Sequence, residues 1–556
     1  MKQALKYWMM ATLALPLSAY SDELPKLAKP VDIPILLSGN FGELRSNHFH
    51  SGIDIKTQGR TGLPIYAAED GYVSRVTVSP WGFGRAIYVT HPSLGITTVY
   101  GHLLSFSPKI DAPVRDRQYA GETFSIDLEF APGEIPVKRG EKIALSGNSG
   151  SSGGPHLHMD VRDTATGETM DPLPYYKEYI KDTVAPEVRS IALYQEDGFG
   201  TVSNAPDTRV SAKFSQPFVA WGKVIPAIKA YDKMSNTTNI YGVKKLSLDV
   251  DGTTVYSRVI DKYDFNDTRA INTLVDYSGG VRNNSWMMWT KVPESNPLSG
   301  MIAADNNGVI NIDEERDYKC EWTLTDEHGN TTRLPFTIRG KRMPIKETGY
   351  VGDLLFYDGK NTIHKDGISV TFKPHTFYDN VDFTLEQTPS PEYLSPVYSI
   401  GTASIPVSGE YMVEVRSDDA WGMNPEKLVF VRINGKRRNR VDSKYENGVL
   451  TATPSALGKF AVSVDTVAPV ITPEMPAKWG VRGKISMIIR DNLSGVKSYI
   501  GKIDGKFALF ELDGKTGRLS FVMDASRFAK GTRHELEVVV TDNCGNAATY
   551  KNAFKW

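Results

Sequence analysis

The sequence predicts a mainly β protein built from several modules. Its 556 residues are enough for three or four domains of ordinary size. The 48 glycines and 32 prolines favour turns and short strands over long helices. Alternating apolar and polar runs, bounded by Asx and Gly residues, recur through the later part of the chain, as expected for strands that reverse at tight turns.

Composition excludes several classes of protein. Lys plus Arg is 64 and Asp plus Glu is 65, which gives a formal net charge of -1. This balance argues against a nucleic-acid-binding protein, which usually carries a basic excess. Two cysteines rule out a disulfide scaffold and a Cys-rich metal site. The ligands of any metal would therefore be His, Asp or Glu.

Residues 1–21 have the layout of a secretory signal peptide. Lys2 and Lys6 form a positive start, an apolar stretch follows, and Ala19 and Ser21 are small residues at the -3 and -1 positions of a cleavage site. The apolar stretch is shorter than the ~20 residues that span a bilayer, and the alternative is a buried N-terminal helix. We expect an exported chain, in the periplasm or the extracellular part of the cell envelope, without a transmembrane segment after signal removal.

A repeat organises the rest of the chain. Asp-Thr-Val-Ala-Pro occurs twice, and each copy is followed by the same turn residues in the same order. The matched segments are 182–186 and 465–469, 232–235 and 491–494, 251–252 and 504–505, and 325–330 and 541–546. Such DTxAP openings resemble those of bacterial Ig-like modules. The alternative is chance similarity of turns, which four ordered matches make improbable.

These segments predict three β-sandwich modules after an N-terminal domain at 22–180. The first is an Ig-like sandwich at 181–342 with an insertion near 253–315. The second is a sandwich at 343–464, and the third is an Ig-like sandwich at 465–556, of ordinary size for that fold. Cys320 and Cys544 do not occupy equivalent positions of the repeat, so two buried free thiols are expected rather than an inter-module disulfide.

Six of the ten histidines lie within residues 48–158, and they form the main chemical signal. His156 and His158 are two apart, so a strand would place both imidazoles on one face and Leu157 on the other. His50 and Asp54 are four apart, which again gives one strand face. His102 follows a strand-like run. Each motif alone is weak, and a lone histidine in such a place is most often structural.

Together the motifs suit metal chemistry. A catalytic zinc ion usually takes three protein ligands and leaves a fourth position for water. Two histidines and one carboxylate supply that set, and further histidines are available for proton transfer and oxyanion stabilisation. No HExxH motif is present, so a glutamate base of the thermolysin type is not indicated.

The ordered motifs resemble peptidase family M23, the lysostaphin-type or LytM-type peptidoglycan metallopeptidases, over roughly residues 38–165. The matching stretches are 50–54 (HSGID), 64–68 (PIYAA) with 70–71 (DG), 100–103 (YGHL), 147–150 (GNSG) and 154–158 (GPHLH). The resemblance implies an antiparallel β catalytic domain in which His50, Asp54 and His158 bind Zn²⁺. It also implies that His102 and His156 form the catalytic pair, and that the substrates are peptide stems or cross-links of peptidoglycan.

Three further expectations concern the site. We expect His156 to be the base, because its strand neighbour His158 is a ligand. About thirty residues after Leu103 depart from the family pattern, and we expect this insertion to form a rim of the groove and tune substrate access, the alternative being surface decoration. His48 and His91 are not assigned to the metal.

The main functional prediction is an exported zinc metalloendopeptidase that cleaves peptidoglycan cross-links. One alternative is a non-catalytic wall-binding protein that activates another wall hydrolase. A second is an adhesion protein made mainly of sandwiches. Relatives that act as activators lack metal ligands, whereas all five site positions are filled here, which favours the enzyme.

Overall fold

The structure is a computed structural model that describes residues 24–45, 47–203, 207–213, 215–283 and 286–556. The predicted signal peptide, 1–21, lies outside these residues. The described chain is dominated by strands, which confirms the mainly β fold class. None of its described helices has the length and apolar character needed to cross a membrane.

The N-terminal domain is built on one large antiparallel sheet with the strand order β1-β4-β13-β8-β7-β6-β10. Its strands are Leu37–Gly39 (β1), Leu44–Arg45 (β2), His48–Phe49 (β3), Ile53–Lys56 (β4), Pro64–Tyr66 (β5), Gly71–Val78 (β6), Arg85–His91 (β7), Ile96–Gly101 (β8), Ser105–Phe106 (β9), Ile126–Glu129 (β10), Pro136–Val137 (β11), Lys142–Leu145 (β12), His156–Asp163 (β13) and Thr169–Met170 (β14). Its helices are Pro108–Ala120 (α1) and Leu173–Tyr176 (α2). A small sheet, β5-β12-β9, accompanies the large one.

Alternation along the central strands separates the core from the polar face. Ile53 and Ile55 on β4, and Leu157 and Met159 on β13, have no exposed surface. The residues between them point to the opposite face of the sheet, because successive side chains of a strand alternate. Polar side chains of β4 and β13 are thereby gathered on one face.

The insertion after Leu103 forms α1 and β10. Helix α1 begins with Pro108, which lacks a backbone N–H at a position where this group would have no partner within the helix. The helix buries Ile110 and Val114 against the domain core. Strand β10 pairs with β6 at the edge of the large sheet. The insertion is therefore an integral layer of the domain.

The first module folds around Trp322, which is fully buried. Its strands are Glu187–Val202 (β15), Asp207–Ser211 (β16), Phe218–Tyr231 (β17), Lys245–Val250 (β18), Thr253–Val259 (β19), Lys262–Tyr263 (β20), Met288–Trp289 (β21), Ile302–Ala304 (β22), Ile310–Ile312 (β23), Asp317–Thr325 (β24) and Thr331–Gly340 (β25). Its helices are Tyr277–Asn283 (α3) and the 3₁₀ turns Phe265–Thr273, Ser299–Met301 and Asp305–Gly308. A parallel pairing of β17 with β25 joins its two halves into one continuous sheet.

The extra sequence of the first module packs on the N-terminal domain. Strand β20 pairs with β14 and so extends the large sheet of that domain. Ile271 and Leu274 share an apolar cluster with Phe41 and Phe49 of the N-terminal domain. The segment predicted as an insertion is thus an inter-domain connection.

The second module is a sandwich of two five-stranded sheets, β27-β28-β32-β36-β35 and β30-β31-β37-β33-β34. Its strands are Asp353–Leu355 (β26), Asn361–Lys365 (β27), Ile368–Phe372 (β28), Val381–Phe383 (β29), Leu385–Thr388 (β30), Val397–Ile400 (β31), Met412–Arg416 (β32), Leu428–Asn434 (β33), Arg437–Val441 (β34), Ser443–Glu446 (β35), Val449–Ala452 (β36) and Gly458–Val464 (β37), with 3₁₀ turns at Ala420–Gly422 and Pro425–Lys427. Phe372 from one sheet and Phe430 and Phe460 from the other fill its core.

The third module is a sandwich of two four-stranded sheets, β38-β39-β43-β42 and β41-β40-β44-β45. Its strands are Val470–Pro473 (β38), Lys484–Arg490 (β39), Val496–Ile503 (β40), Lys506–Ala508 (β41), Glu511–Asp513 (β42), Arg518–Val522 (β43), Arg533–Asp542 (β44) and Ala547–Lys555 (β45). The 3₁₀ turn Pro476–Lys478 leads into helix Trp479–Arg482 (α4). Cys320 and Cys544 are both buried and free, as expected.

The third module returns to the N-terminal domain. Leu509 is 6% exposed and belongs to the apolar core of that domain, and Phe507 packs against the same core. The Tyr119 ring of α1 lies 5.7 Å from the Phe507 ring, edge to face, and the Arg527 guanidinium lies over Tyr119 at 3.4 Å. The insertion therefore provides the surface on which the third module docks.

Candidate metal centre

Pairing of β4 with β13 assembles the centre. The antiparallel register places His158 directly opposite Asp54. On its other side β13 pairs with β8, and His158 lies opposite Gly101, so that His102 follows at the same edge. Residues far apart in the chain are thereby brought onto one sheet face. His156 and His158 share β13, as their spacing predicted. His50 lies before the turn that leads into β4, so the prediction that His50 and Asp54 share one strand is wrong.

Gly52 allows the turn into β4 to approach β13. A Cβ at this position would lie 2.2 Å from the carbonyl oxygen of Met159 and 2.5 Å from Oδ1 of Asp160. Any larger residue would push the backbone away from β13. The glycine of the HSGID motif thus has a packing role beside the centre.

Three side chains converge on one point. Asp54 Oδ1 lies 3.0 Å from His50 Nε2 and 2.9 Å from His158 Nδ1, and the two ring nitrogens are 3.1 Å apart. The three residues are 3–5% exposed. Among the residues that the structure describes, they form one of three groups that could hold a metal ion, and the only one of these groups that contains histidine.

The outer ring nitrogens fix which atoms face inward. His50 Nδ1 lies 2.7 Å from the carbonyl oxygen of Asn40, and His158 Nε2 lies 2.6 Å from Oδ1 of Asp160. A carbonyl or carboxylate accepts only, so these nitrogens carry the protons, as inferred from their partners. In their neutral forms, His50 and His158 therefore direct the lone pairs of Nε2 and Nδ1 at each other and at Asp54.

This donor set fits a zinc ion. Three acceptors at 2.9–3.1 Å repel one another unless a proton or a metal cation lies among them. In tetrahedral zinc sites, ligands at 2.0–2.1 Å from the metal are about 3.3 Å apart, close to the separations here. Arg45 Nη2 donates to Asp54 Oδ2 at 2.7 Å, which leaves Oδ1 as the inward oxygen. The orientation of both imidazoles by outer partners is typical of metal ligands.

Charge is shared unevenly across the centre. Burial opposes ionisation of Asp54, yet His50, His156 and His158 hold the pKa of its carboxyl well below the ordinary range. Burial lowers the pKa of His50. Burial also opposes a charge on His158, but Asp160 and Asp54 raise its pKa to about 9. The carboxylates thus attract positive charge to this point.

His102 and His156 lie beside the three converging residues. The His102 ring is 4.8 Å from that of His156 and 5.8 Å from that of His158. His156 Nδ1 donates to the carbonyl oxygen of Gly154 at 2.8 Å, and His102 Nδ1 donates to that of Ser149 at 2.9 Å. Their Nε2 atoms take no part in these hydrogen bonds, and Nε2 of His156 lies 3.3 Å from Asp54 Oδ1.

His102 is held in an unusual environment. Its φ of +60° is uncommon outside glycine and indicates a constrained position. Burial, followed by the charges of His158 and His156, lowers the pKa of His102 to about 3. The ring is therefore a neutral imidazole, which can accept or pass on a proton at Nε2.

The remaining histidines of the cluster lie outside the converging set. His91 is fully buried, with Nδ1 against the carbonyl oxygen of Asp70 at 3.0 Å and Nε2 against Thr98 Oγ1 at 2.8 Å. This is a structural role, as expected. His48 is exposed on β3. Asn47 accepts a hydrogen bond from Asn272 of the first module at 3.1 Å, so it connects two domains.

Several contributors were not identified from the sequence. Asp160 continues the two-residue period of His156 and His158, so the same spacing argument would have found it. The carbonyl oxygens of Asn40, Ser149 and Gly154 belong to the backbone and leave no signal in the residue type.

Lys515 of the third module contacts a loop that lies beside the centre. Its Nζ donates to the carbonyl oxygens of Asn148 at 2.5 Å and Ser152 at 3.0 Å, in the loop that leads to His156. Ser152 Oγ in turn lies 3.2 Å from His156 Nδ1. The hairpin that carries Lys515 lies 367 positions beyond Asn148 and holds the loop that precedes His156.

Arg85 and Glu511 add a second contact at the same place. Their side chains form an ion pair at 2.6 Å between the N-terminal domain and the third module. The backbone N–H of Arg85 donates to Ser149 Oγ at 2.9 Å, within the same loop. The third module thus borders one side of the centre.

Comparison with known families gives two matches along the chain. The model of Peptidase family M23 matches residues 48–134. The model of the Zu5-like domain matches residues 352–465, in the second module. His156 and His158 lie beyond the residues matched to Peptidase family M23, so their place in the centre rests on the geometry.

Similar proteins include an uncharacterized metalloprotease of Haemophilus influenzae, 35% identical over 124 residues, which are 22% of this chain and 20% of that protein. The DD-carboxypeptidase/endopeptidase Mpg of Neisseria meningitidis serogroup B is 28% identical over 130 residues, or 23% of each chain. The matches thus span about a fifth to a quarter of these relatives.

Solved structures with a similar part include a zinc containing peptidase from Vibrio cholerae, with 28% identity, 26% of this chain and 39% of that chain covered, and a TM-score of 0.20. The catalytic domain of lysostaphin from Staphylococcus simulans has 21% identity, covers 26% of this chain and 92% of its own, and gives a TM-score of 0.19. The family match and the relatives agree with the fold and with the converging His and Asp side chains: the chain contains a domain of peptidase family M23.

Proposed function

We propose that the protein is an exported zinc metalloendopeptidase that hydrolyses peptide cross-links of bacterial peptidoglycan. The observation that carries this proposal is the inward orientation of His50 Nε2, His158 Nδ1 and Asp54 Oδ1 beside two further imidazoles. The relative from N. meningitidis is named a DD-carboxypeptidase/endopeptidase, which supports endopeptidase activity. The cell-wall substrate follows from the resemblance of the motifs.

His50, Asp54 and His158 would hold the metal. Bound there, Zn²⁺ would polarise the scissile carbonyl and lower the pKa of a bound water molecule. Arg45 keeps Asp54 in its inward orientation, and Asp160 does the same for His158. Since the three residues are buried, electrostatic interactions among them are weakly screened.

His156 is assigned as the general base. Its Nδ1–H is bound by Gly154, so Nε2 is free to accept a proton from the attacking water, and it already faces the ligand Asp54. His102 is assigned to the opposite part of the reaction. Its Nε2, placed beside His156, would take over the proton that His156 accepts from the water, and would then hydrogen-bond the developing oxyanion or pass this proton to the leaving amine.

Digestion of purified peptidoglycan tests the proposal. The mature chain is expected to release peptide fragments, and His158→Ala is expected to lose both zinc and product release. His364→Ala removes an exposed histidine of the second module and serves as the control, with zinc content and activity of the wild type.

Two results would contradict the proposal. Equal activity in the wild type and His158→Ala would refute the ligand assignment. A wild-type chain that binds zinc but releases nothing by itself, while increasing digestion by a second wall hydrolase, would establish the activator function instead.

A further inference from the structure

Two groups of three carboxylates occupy equivalent positions in the repeated modules. The first comprises Asp182, Asp232 and Asp326, and in each group one oxygen per residue lies within 4.8 Å of the others. The second comprises Asp465, Asp491 and Asp542. We refer to them as the first and second triads. Each aspartate comes from one of the turn segments that repeat in the sequence, so the fold brings the repeated landmarks together.

Backbone N–H groups hold the triads in matching ways. Asp326 Oδ1 accepts from the N–H groups of His328 and Asn330, both at 2.8 Å. Asp542 Oδ1 accepts from those of Cys544 and Asn546, also at 2.8 Å. Such donors favour the ionised carboxylate. The same arrangement in two modules shows that the convergence is a property of the repeat.

The opening aspartates are held in the same manner. Asp182 Oδ1 accepts from the Ser235 N–H at 2.9 Å, and Asp465 Oδ2 accepts from the Ser494 N–H at 2.9 Å. In both modules, a serine at the end of the second landmark therefore fastens the DTVAP opening to the turn that carries the middle aspartate.

Buried oxygens in both triads lack a hydrogen-bond partner. In the first triad these are Oδ2 of Asp182 and Oδ1 of Asp232, on side chains that are 7% and 3% exposed. In the second triad Oδ1 of Asp491 is likewise unpartnered. A buried carboxylate oxygen without a partner loses the solvation that water would give it, so a bound ligand would stabilise it.

Neighbouring side chains do not neutralise these charges. Within the described parts of the chain, none of the six carboxylates forms an ion pair with Lys, Arg or His. Burial, together with the charges of Asp326 and Asp182, raises the pKa of Asp232 to about 8. Three carboxylates in contact repel one another, and a cation bound among them would offset this repulsion.

We propose that each triad is a Ca²⁺ site. Carboxylate oxygens are hard ligands that suit Ca²⁺, whose ligands lie at 2.3–2.6 Å, so that two of them are at most about 5 Å apart. The ligand oxygens of each triad all lie within 4.8 Å of one another, which meets this limit. Mg²⁺ demands a tighter octahedron and keeps most of its water, which suits a buried pocket less well. Zinc prefers nitrogen and sulfur ligands, which the triads lack.

Both triads lie at junctions between consecutive domains, which indicates a structural role for the sites. Asp182 lies where the chain leaves the N-terminal domain, and Asp465 lies where it passes from the second module to the third. Bound Ca²⁺ would tie each junction to two turns of the following module. The sites are separate from the metal centre, and the proposal does not depend on peptidase activity.

Equilibrium dialysis of the full, zinc-loaded chain against Ca²⁺ tests the proposal. Wild type is expected to bind two Ca²⁺ ions, Asp232→Asn and Asp491→Asn one each, and the double variant none. Asp305→Asn, an exposed aspartate of the first module outside the triad, is the control and should bind two. Extracellular modules bind Ca²⁺ with Kd values of about 10⁻⁴–10⁻³ M, so free Ca²⁺ should reach about 10 mM.

Three outcomes would overturn the proposal. They are no uptake of Ca²⁺ by the wild type, unchanged stoichiometry in both triad variants, or loss of Ca²⁺ uptake when Mg²⁺ is present in tenfold excess. Thermal unfolding in EGTA separates a folding defect from lost binding. Because Asp232→Asn removes a buried repulsion, its Tm in EGTA should equal or exceed that of the wild type, and a lower Tm would contradict the argument.

Discussion

Asp160 determines which nitrogen of His158 faces His50 and Asp54. It is fully buried, accepts from His158 Nε2 and is itself held by Arg162 at 2.7 Å. Asp160→Asn removes the charge, and its amide can present an NH₂ group instead of an acceptor. We expect zinc affinity to fall by about 10–100-fold, the usual effect of losing such a partner. Competition with a chromogenic chelator measures the change.

Asp127→Asn is the control for this experiment. Asp127 pairs with Arg75 on exposed β10, away from the centre, so its substitution should leave zinc affinity unchanged. If Asp160→Asn bound zinc as tightly as this control, His158 would not depend on Asp160 for its orientation.

His156 should affect turnover more than metal binding. Since its Nε2 lies next to Asp54 without belonging to the converging set, His156→Ala is expected to retain zinc. Loss of a general base lowers kcat by about 10²–10⁴-fold. Zinc content and kcat are measured on the same sample. Loss of zinc in this variant would mean that His156 is a ligand and that the assignment of base is wrong.

The residue scale is where the sequence was most informative. Two-residue spacing predicted that His156 and His158 share a face and that Leu157 enters the core, and Leu157 is fully buried. The partners that orient the two imidazoles were harder to predict from the sequence. Asn40 acts through its backbone carbonyl, and Asp160 is found only if the two-residue spacing of His156 and His158 is continued by one more step. Which ring nitrogen faces inward depends on those partners and cannot be read from residue types.

At the scale of elements, the loop 147–154 connects His102 and His156 with the third module. Lys515 binds two of its carbonyl oxygens. Lys515→Met would free this loop and with it the backbone acceptors of His102 and His156, at Ser149 and Gly154. We expect zinc to be retained and kcat/KM to fall by about tenfold, comparable to the loss of one hydrogen bond to a charged group.

Lys530→Met is the matched control for the loop. Lys530 is exposed on the same module, and its substitution should leave kcat/KM unchanged. Equal activity of the two variants would show that Lys515 does not position the loop.

The insertion after Leu103 was predicted to form a rim that tunes substrate access. In the structure, α1 buries Ile110 and Val114 in the domain core and presents Tyr119 to the third module. Substrate tuning therefore stays a prediction, and deletion of residues 110–132 would also remove core and docking contacts. The sequence showed the extra length, but the partner of α1 is remote in the chain and could not be anticipated.

At the scale of the whole molecule, the third module and the N-terminal domain share one apolar cluster. Leu509 belongs to the third module yet packs in the core of the N-terminal domain. Leu509→Ala should therefore lower the unfolding free energy by about 2–5 kcal/mol, and both domains should be affected. Calorimetry, with the metal centre probed by zinc release on heating, checks whether they unfold together. If zinc release were unchanged, the two domains would be energetically independent.

Whole-chain architecture was only partly predictable. Repeated turn motifs predicted strand-rich modules, because turn chemistry is local. The pairing of β20 with β14 and the docking of Leu509 join segments that are distant in sequence, and no local pattern specifies such contacts.

The most direct test is a crystal structure of the zinc-loaded full chain, with anomalous data collected at the zinc edge. We predict a strong anomalous peak at the metal centre, at a distance of about 2.0–2.2 Å from His50 Nε2, Asp54 Oδ1 and His158 Nδ1. A peak at another place, or none at these three atoms in a chain that digests peptidoglycan, would contradict the assignment of the metal centre.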